Sequence, residues 1–237
     1  MIASLSVATA PNGLMSVSPS VSANSLDAYF YTFTQAQVDA RAANPDPTTD
    51  AYYTAMIGSL KAHGWTVFEV EAVENKITSD PQVPLIVCVL ALIDMVENGF
   101  GHVFTIDRST ILAAANAACH TLKDPPDEIA RQLDEWWGST HVEVGLRVLS
   151  VGPILELFGI PYLGAAHFAM RITADSWRDL VSPETDFSFS ARPALMMLNW
   201  IEYRQHEVSL KAKLAAELAG KIKQTQLDLD PAKAGAS

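Results

Sequence analysis

Six histidines, His63, His102, His120, His141, His167 and His206, are the residues of this chain best suited to acid-base or metal chemistry. Imidazole changes charge near neutral pH and binds metals through either nitrogen. None of the six stands in an H-E-x-x-H or comparable ligand spacing. His141 and Glu143 come nearest to a ligand pair, because residues two apart on a strand share a face. Two ligands without a third predict a surface contact or a satisfied histidine, so neither a metal nor a cofactor is expected.

Nucleophile chemistry fares no better. Cys119 and His120 are adjacent, and neighbours on a helix point about 100° apart, so the pair does not form a thiol and its base. The sequence has no G-x-S-x-G elbow, Walker loop or complete dinucleotide fingerprint; Gly99-Phe100-Gly101 lacks the third glycine. The carboxylate pairs Asp127 with Glu128 and Asp134 with Glu135 read as solvated helix faces, and Asp46 and Asp50 as turn and cap residues rather than a calcium loop. No catalytic residue is predicted.

Composition narrows the partners. With 27 acidic against 16 basic residues the net charge is −11, which repels a phosphate backbone and excludes nucleic acid as an expected partner. The same charge gives no attraction to an anionic bilayer, so any membrane contact has to be driven by apolar burial. Hydrophobic residues make up 49% of the 237 and mean hydropathy is +0.13, ample for a large core. Cys88 and Cys119 are too few for a disulfide framework and lie in apolar or alanine-rich runs, where a thiol behaves as a small hydrophobe.

The first basic residue is Arg41, and Pro11 with Gly13 interrupts the early apolar run, so no secretory signal is read here. The expectation is a protein cytoplasmic as synthesised, with any release taking a non-standard route.

The elements that would position these residues follow from periodicity and punctuation. Residues 1–24 alternate around Pro11-Asn12-Gly13 and predict a hairpin or an extended arm. Thr48 or Thr49 caps a helix that reaches about His63 and stops at Gly64. A half-exposed strand is expected over Val67–Val73. Pro81 opens a helix through residue 98 that is apolar on all sides until Asp94, the predicted buried centre; its apolar run is shorter than the roughly 20 residues of a bilayer span. Two further helices are capped by Asp107 and opened by Pro125-Pro126, the second ending at Gly138. A short strand is read at TDFSFS, residues 185–190, and a long amphipathic helix from about Pro193 to Gln224, with Met197, Ile201, Val208, Leu214, Leu218 and Ile222 near one stripe. Residues 226–237 read as a polar tail. The result is an α+β class, a predominantly helical single domain with a small β component.

Residues 139–172 stay open between helix and strand. Between Val144 and Met170 only Arg147 and Glu156 carry formal charge, and Pro153 and Pro161 forbid a continuous helix. A bulky residue followed by glycine recurs every seven positions, at Gly138, Gly145, Gly152 and Gly159, which would form one seam only on a helix. Within this stretch residues 151–163 predict a poorly regular, partly exposed apolar element. Ile154, Leu155, Leu157, Phe158, Ile160, Tyr162 and Leu163 supply apolar area there that a surface loop does not need for solubility.

Three functions are compatible with this pattern. The first is a non-enzymatic protein, toxin-like, that folds soluble and uses stored apolar segments to bind a membrane or a protein partner. The second is an enzyme or hydrophobic-ligand-binding domain whose pocket is built from residues distant in sequence, for instance around His102, His141 and His167. The third is a subunit of a homo-oligomeric assembly. The two charge-poor stretches, residues 83–93 and 144–170, favour the first.

Overall fold

The computed structural model describes residues 4–10, 13–17, 21–69, 73–75, 83–87, 89–90, 93–94, 109, 112, 116, 119–120, 122–125, 127–139, 141–143, 146–172 and 176–228. The α+β class expected from the sequence is what it shows. Among the described residues nine strands form one sheet in the order β3-β8-β7-β6-β2-β1-β9, with β4 beside β8 and β5 beside β6. The strands are β1 (Ser4–Ala10), β2 (Gly13–Val17), β3 (Trp65–Glu69), β4 (Val73–Asn75), β5 (His141–Glu143), β6 (Leu146–Leu157), β7 (Ile160–Ile172), β8 (Phe187–Leu198) and β9 (Lys223–Asp228). The sheet takes up far more chain than the short strands read from the sequence, and every pairing is antiparallel except β2 with β6.

Helices cover both faces. Alternate residues of a strand point to opposite sides, and β8 shows this directly. Ala194, Met196 and Leu198 join a core with α1 (Ala23–Ala43), α2 (Asp50–Ala62) and α4 (Trp200–Leu218), while Phe189 and Ala191 join a second core with α3 (Asp127–Ser139) and the 3-10 turn Trp177–Val181. A strand covered on both sides, as β8 is, has no polar face. The near absence of charge and of clean alternation in residues 146–172 fits the same arrangement.

The helix enclosed on all sides is α1, whose Leu26, Tyr29, Phe30, Phe33 and Ala36 are buried together with Thr32, Thr34, Gln35 and Gln37. Ser22 caps it by accepting from the Ser25 amide, and it ends at Asn44 ahead of Pro45. The apolar helix expected at residues 81–98 is helical wherever it is described between residues 84 and 94, with Val87 and Ile93 buried but Leu85, Ile86, Val89 and Leu90 only half-buried. Among the described residues Val87 belongs to the core built with α3, with Leu85 packed against it.

Other expectations are settled locally. Thr49 caps α2 by accepting from the Tyr52 amide, and Gly64, at φ 96°, ends it. β1 and β2 pair antiparallel in register Ala10↔Gly13, the hairpin form of the two expected for residues 1–24. The long C-terminal helix starts later than read: residues 193–198 continue β8, and the Asn199 side chain accepts from the Ile201 and Glu202 amides to start α4. Its buried stripe is Tyr203, Leu210, Leu214 and Leu218, whereas Ile201 and Val208 are exposed. Residues 226–228, read as tail, belong to β9. The glycine heptad is no seam, since Gly138 lies in α3, Gly152 in β6 and Gly159 in a turn. Gly145, the helix expected after Asp107, apart from residues at 109, 112, 116, 119–120 and 122–123 that are helical, and residues 229–237 lie outside the described residues.

Candidate contact surface

Residues 151–163 lie in the antiparallel β6–β7 hairpin, more regular than the partly exposed apolar element expected. The β6–β7 ladder runs from Leu146↔Arg171 to Val151↔Ala166, then resumes at Ile154↔Leu163 in the same register. The gap falls at Gly152-Pro153, where Pro153 has no N–H to give, while the neighbouring strand β2 still aligns Ser16 with Pro153. Pro161 is accommodated opposite Glu156.

The hairpin closes on two residues, Phe158 and Gly159, between the pair Leu157↔Ile160. Two-residue turns match the right-handed twist of their strands when both central residues have positive φ, which favours Asn-Gly or Asp-Gly. Here Phe158 has φ 53° and Gly159 φ 74°. For a residue with a Cβ the left-handed region costs about 1–2 kcal/mol. Packing does not compensate it, because the Phe158 side chain is fully exposed.

The turn is braced from below. Trp200, the first residue of α4, donates its indole N–H to the Gly159 carbonyl at 2.8 Å and sits edge-on to Tyr203, ring centroids 5.6 Å apart. Asn199 donates its amide to the Gly64 carbonyl at 2.8 Å, fixing the start of α4 against the turn after α2. Ile201, next to Trp200, is 77% exposed. Phe158 and Ile201 are therefore chain neighbours of the two ends of one hydrogen bond, and both face solvent.

Of the seven residues singled out in the sequence, Phe158 is exposed and Ile160 half-buried, with Pro161 buried beside it. Ile154, Leu155, Leu157, Tyr162 and Leu163 take places in the paired strands, in register Ile154↔Leu163 and Leu155↔Tyr162. The surface contracts from a whole loop to its tip. Trp200 and Ile201 were missed as part of it, being read as helix interior; the only sequence signal was Asn199, a cap residue directly before them.

The described histidines do not gather at one site. His63 and His206 meet edge to face at 5.3 Å, His120 is exposed, His141 lies on β5 with Glu143, and His167 is buried against Tyr52 with ring centroids 5.4 Å apart. His102 lies outside the described residues. Among the described residues no group of three or more His, Cys, Asp or Glu is placed to hold a metal ion. The Cys119 thiol is buried, and burial pushes its pKa up to about 11, away from nucleophile chemistry; Cys88 lies outside the described residues. No described helix is long and apolar enough to cross a membrane.

No protein-family model matches this chain, and no curated protein matches it. Solved structures of similar shape include a delta-endotoxin, 12% identical over 79% of this chain and 80% of that one with a TM-score of 0.44. The activated Cyt2Ba monomer from Bacillus thuringiensis subsp. israelensis is 13% identical over 81% and 98%, TM-score 0.35, and the Evf virulence factor 10% identical over 90% and 83%, TM-score 0.33. The likeness is coarse, and no residue role passes from these proteins to this chain.

Proposed function

We propose that this chain is a non-enzymatic, toxin-like binding protein that docks on a lipid bilayer through the tip of the β6–β7 hairpin. The observation that carries the reading is Phe158, a bulky aromatic held at positive φ with its whole side chain in solvent. Strain at an exposed position persists in a fold when the conformation is used. One protruding ring, with an exposed Ile201 following the tryptophan that holds its turn, offers little of the roughly 800 Å² that a stable protein partner buries on each side. It suits the interfacial layer of a bilayer, where Phe and Trp insert as single side chains. The net charge of −11 means burial rather than charge provides the attraction, so zwitterionic vesicles are the natural target.

Flotation with phosphatidylcholine vesicles tests this. The unaltered chain should float, Phe158→Ser should stay at the bottom of the gradient with an unchanged melting temperature, and adding phosphatidylserine should weaken binding. Equal flotation of both proteins, or none by either, defeats the proposal.

A further inference from the structure

One ionisable ring is enclosed far from the hairpin tip. His167 lies on β7 and is 3% exposed, on the sheet face that packs α1, α2 and α4. Its ring stacks on Tyr52, and its Nε2 lies 3.3 Å from the Pro47 carbonyl. A carbonyl only accepts, so Nε2 carries the proton and Nδ1 the lone pair. Nδ1 is buried and finds no hydrogen-bond partner among the described residues. The neutral ring fits this place; a second proton would have no acceptor to meet.

The groups around it make a second charge more costly. Arg192 is the cross-strand partner of His167 on β8, so both side chains leave the same face of the sheet. Arg192 pairs with Asp50 at the first residue of α2 and lies 5.4 Å from the centre of the Tyr53 ring. From α2, then, Asp50, Tyr52 and Tyr53 face the pair. From the preceding loop come the Pro47 carbonyl and, further out, Asp46, whose carboxylate is taken up by Thr48. Asp50 is already engaged by Arg192, which leaves the imidazole without a counterion of its own. Two neighbouring side chains of the sheet thus hold one segment, residues 47–53.

We infer that His167 and Arg192 form an acid-released latch, in which the neutral imidazole seats residues 47–53 on the sheet and its protonation lets the start of α2 lift away. Burial lowers the pKa of His167 from 6.5 to about 4, against the hydrogen bond to Pro47, which acts to raise it, and with a smaller push downward from Arg192. The sign follows from linkage. The seated state disfavours the proton, so seating is at full strength above pH 6.5, weakens as pH falls, and levels off below about pH 4. Within that window the seating constant changes by at most tenfold per pH unit, and by about 15-fold between pH 6.5 and pH 5. The inference does not depend on the bilayer reading, because its readout is local opening without vesicles.

Hydrogen exchange of backbone amides, corrected for the intrinsic pH dependence, measures that opening. In the unaltered protein the opening constant for α2 amides such as Tyr53 and Met56 should rise about 40-fold in all from pH 6.5 to pH 4.5. That for Leu210 and Leu214 of α4 should stay level. In His167→Gln, whose amide can donate to Pro47 but does not titrate, the α2 slope should vanish. A flat α2 profile in the unaltered protein overturns the latch, as does a rise of α2 and α4 in step, which would be global acid unfolding. A slope that survives in His167→Gln also overturns it. If that variant does not fold, the profile of the unaltered protein decides alone.

Discussion

The indole N–H of Trp65 donates a 2.8 Å hydrogen bond to the hydroxyl of Thr32, joining the first residue of β3 to the middle of α1. Thr32 in turn donates to the Ala28 carbonyl at 2.6 Å, so its one hydroxyl serves the helix and the sheet edge together. Both residues are buried, and Trp65 also meets Phe33 edge-on at 6.3 Å. Replacing Thr32 by Val keeps the shape but leaves the indole N–H buried without an acceptor. The expected loss is about 1–3 kcal/mol. Thr32→Ser, which keeps the oxygen, should lose less. Urea unfolding midpoints of the three proteins check this, and equal midpoints would mean the bond adds nothing net.

Gly64 is constrained twice. Its φ is 96°, and a Cβ placed on it would come within 2.7 Å of the Tyr203 backbone nitrogen. Gly64→Ala should therefore cost about 2–4 kcal/mol, from the left-handed backbone and the forced shift of α4 together. Gly220, with φ 72° and nothing within 4 Å of its Cβ position, isolates the backbone part. Gly220→Ala should cost about 1 kcal/mol. Thermal unfolding of the pair separates the contact from the conformation.

Gly64 was legible in the sequence because a helix stop is a local event, and so was the Thr49 cap. The enclosed helix α1 was not read at all. Its buried residues include Thr32, Thr34, Gln35 and Gln37 beside Tyr29, Phe30 and Phe33, so neither hydrophobicity nor period marks a face. The start of α4 was misplaced for a related reason. Residues 187–198 lie in a strand covered on both sides, and Pro193 looked like a first helical residue when it occupies a rung opposite Ala166. The candidate surface was half legible: an apolar residue before Gly159 could be seen, but not that Trp200, 41 positions later, would hold the turn.

Lys211 ties α4 to α1. Its ammonium is 3.1 Å from an Asp27 oxygen and 3.0 Å from Glu207, one turn earlier on α4. Burial acts to lower its pKa, but the hydrogen bonds to Glu207 and Asp27 outweigh it and hold the group above its usual range. The side chain is one-third exposed, so Lys211→Met should cost only about 0.5–1 kcal/mol, and less in high salt. A raised lysine pKa contributes fully below its unfolded value of 10.5 and is lost as pH climbs past it. The gap in melting temperature between the two proteins should hold from pH 7 to about 9.5 and close at higher pH. Burial also pushes the nearby Tyr203 hydroxyl up to about 12. Its alkaline destabilisation occurs in both proteins and largely cancels in the difference. A gap that widens above pH 10 would refute the pairing.

Phe158→Asn separates what the hairpin needs from what the surface needs. Asn tolerates the left-handed region by bonding to its own backbone, and Asn-Gly is the preferred pair for a turn of this form. With φ 53° at position 158 and 74° at Gly159, the substitution should relieve strain without moving either strand. The Phe ring is fully exposed, so removing it sacrifices no core contact, and the Trp200 bond is made to the backbone of Gly159. Stability should rise by about 0.5–1 kcal/mol, read from the urea midpoint. Vesicle binding should fall at least tenfold, since burying one phenyl ring accounts for roughly 1.5–3 kcal/mol. A variant both more stable and unable to bind would show that the strain is retained for the contact. A variant that binds as well as the unaltered chain would show that the tip is only a turn, and a less stable one would show that Phe158 packs on something other than solvent.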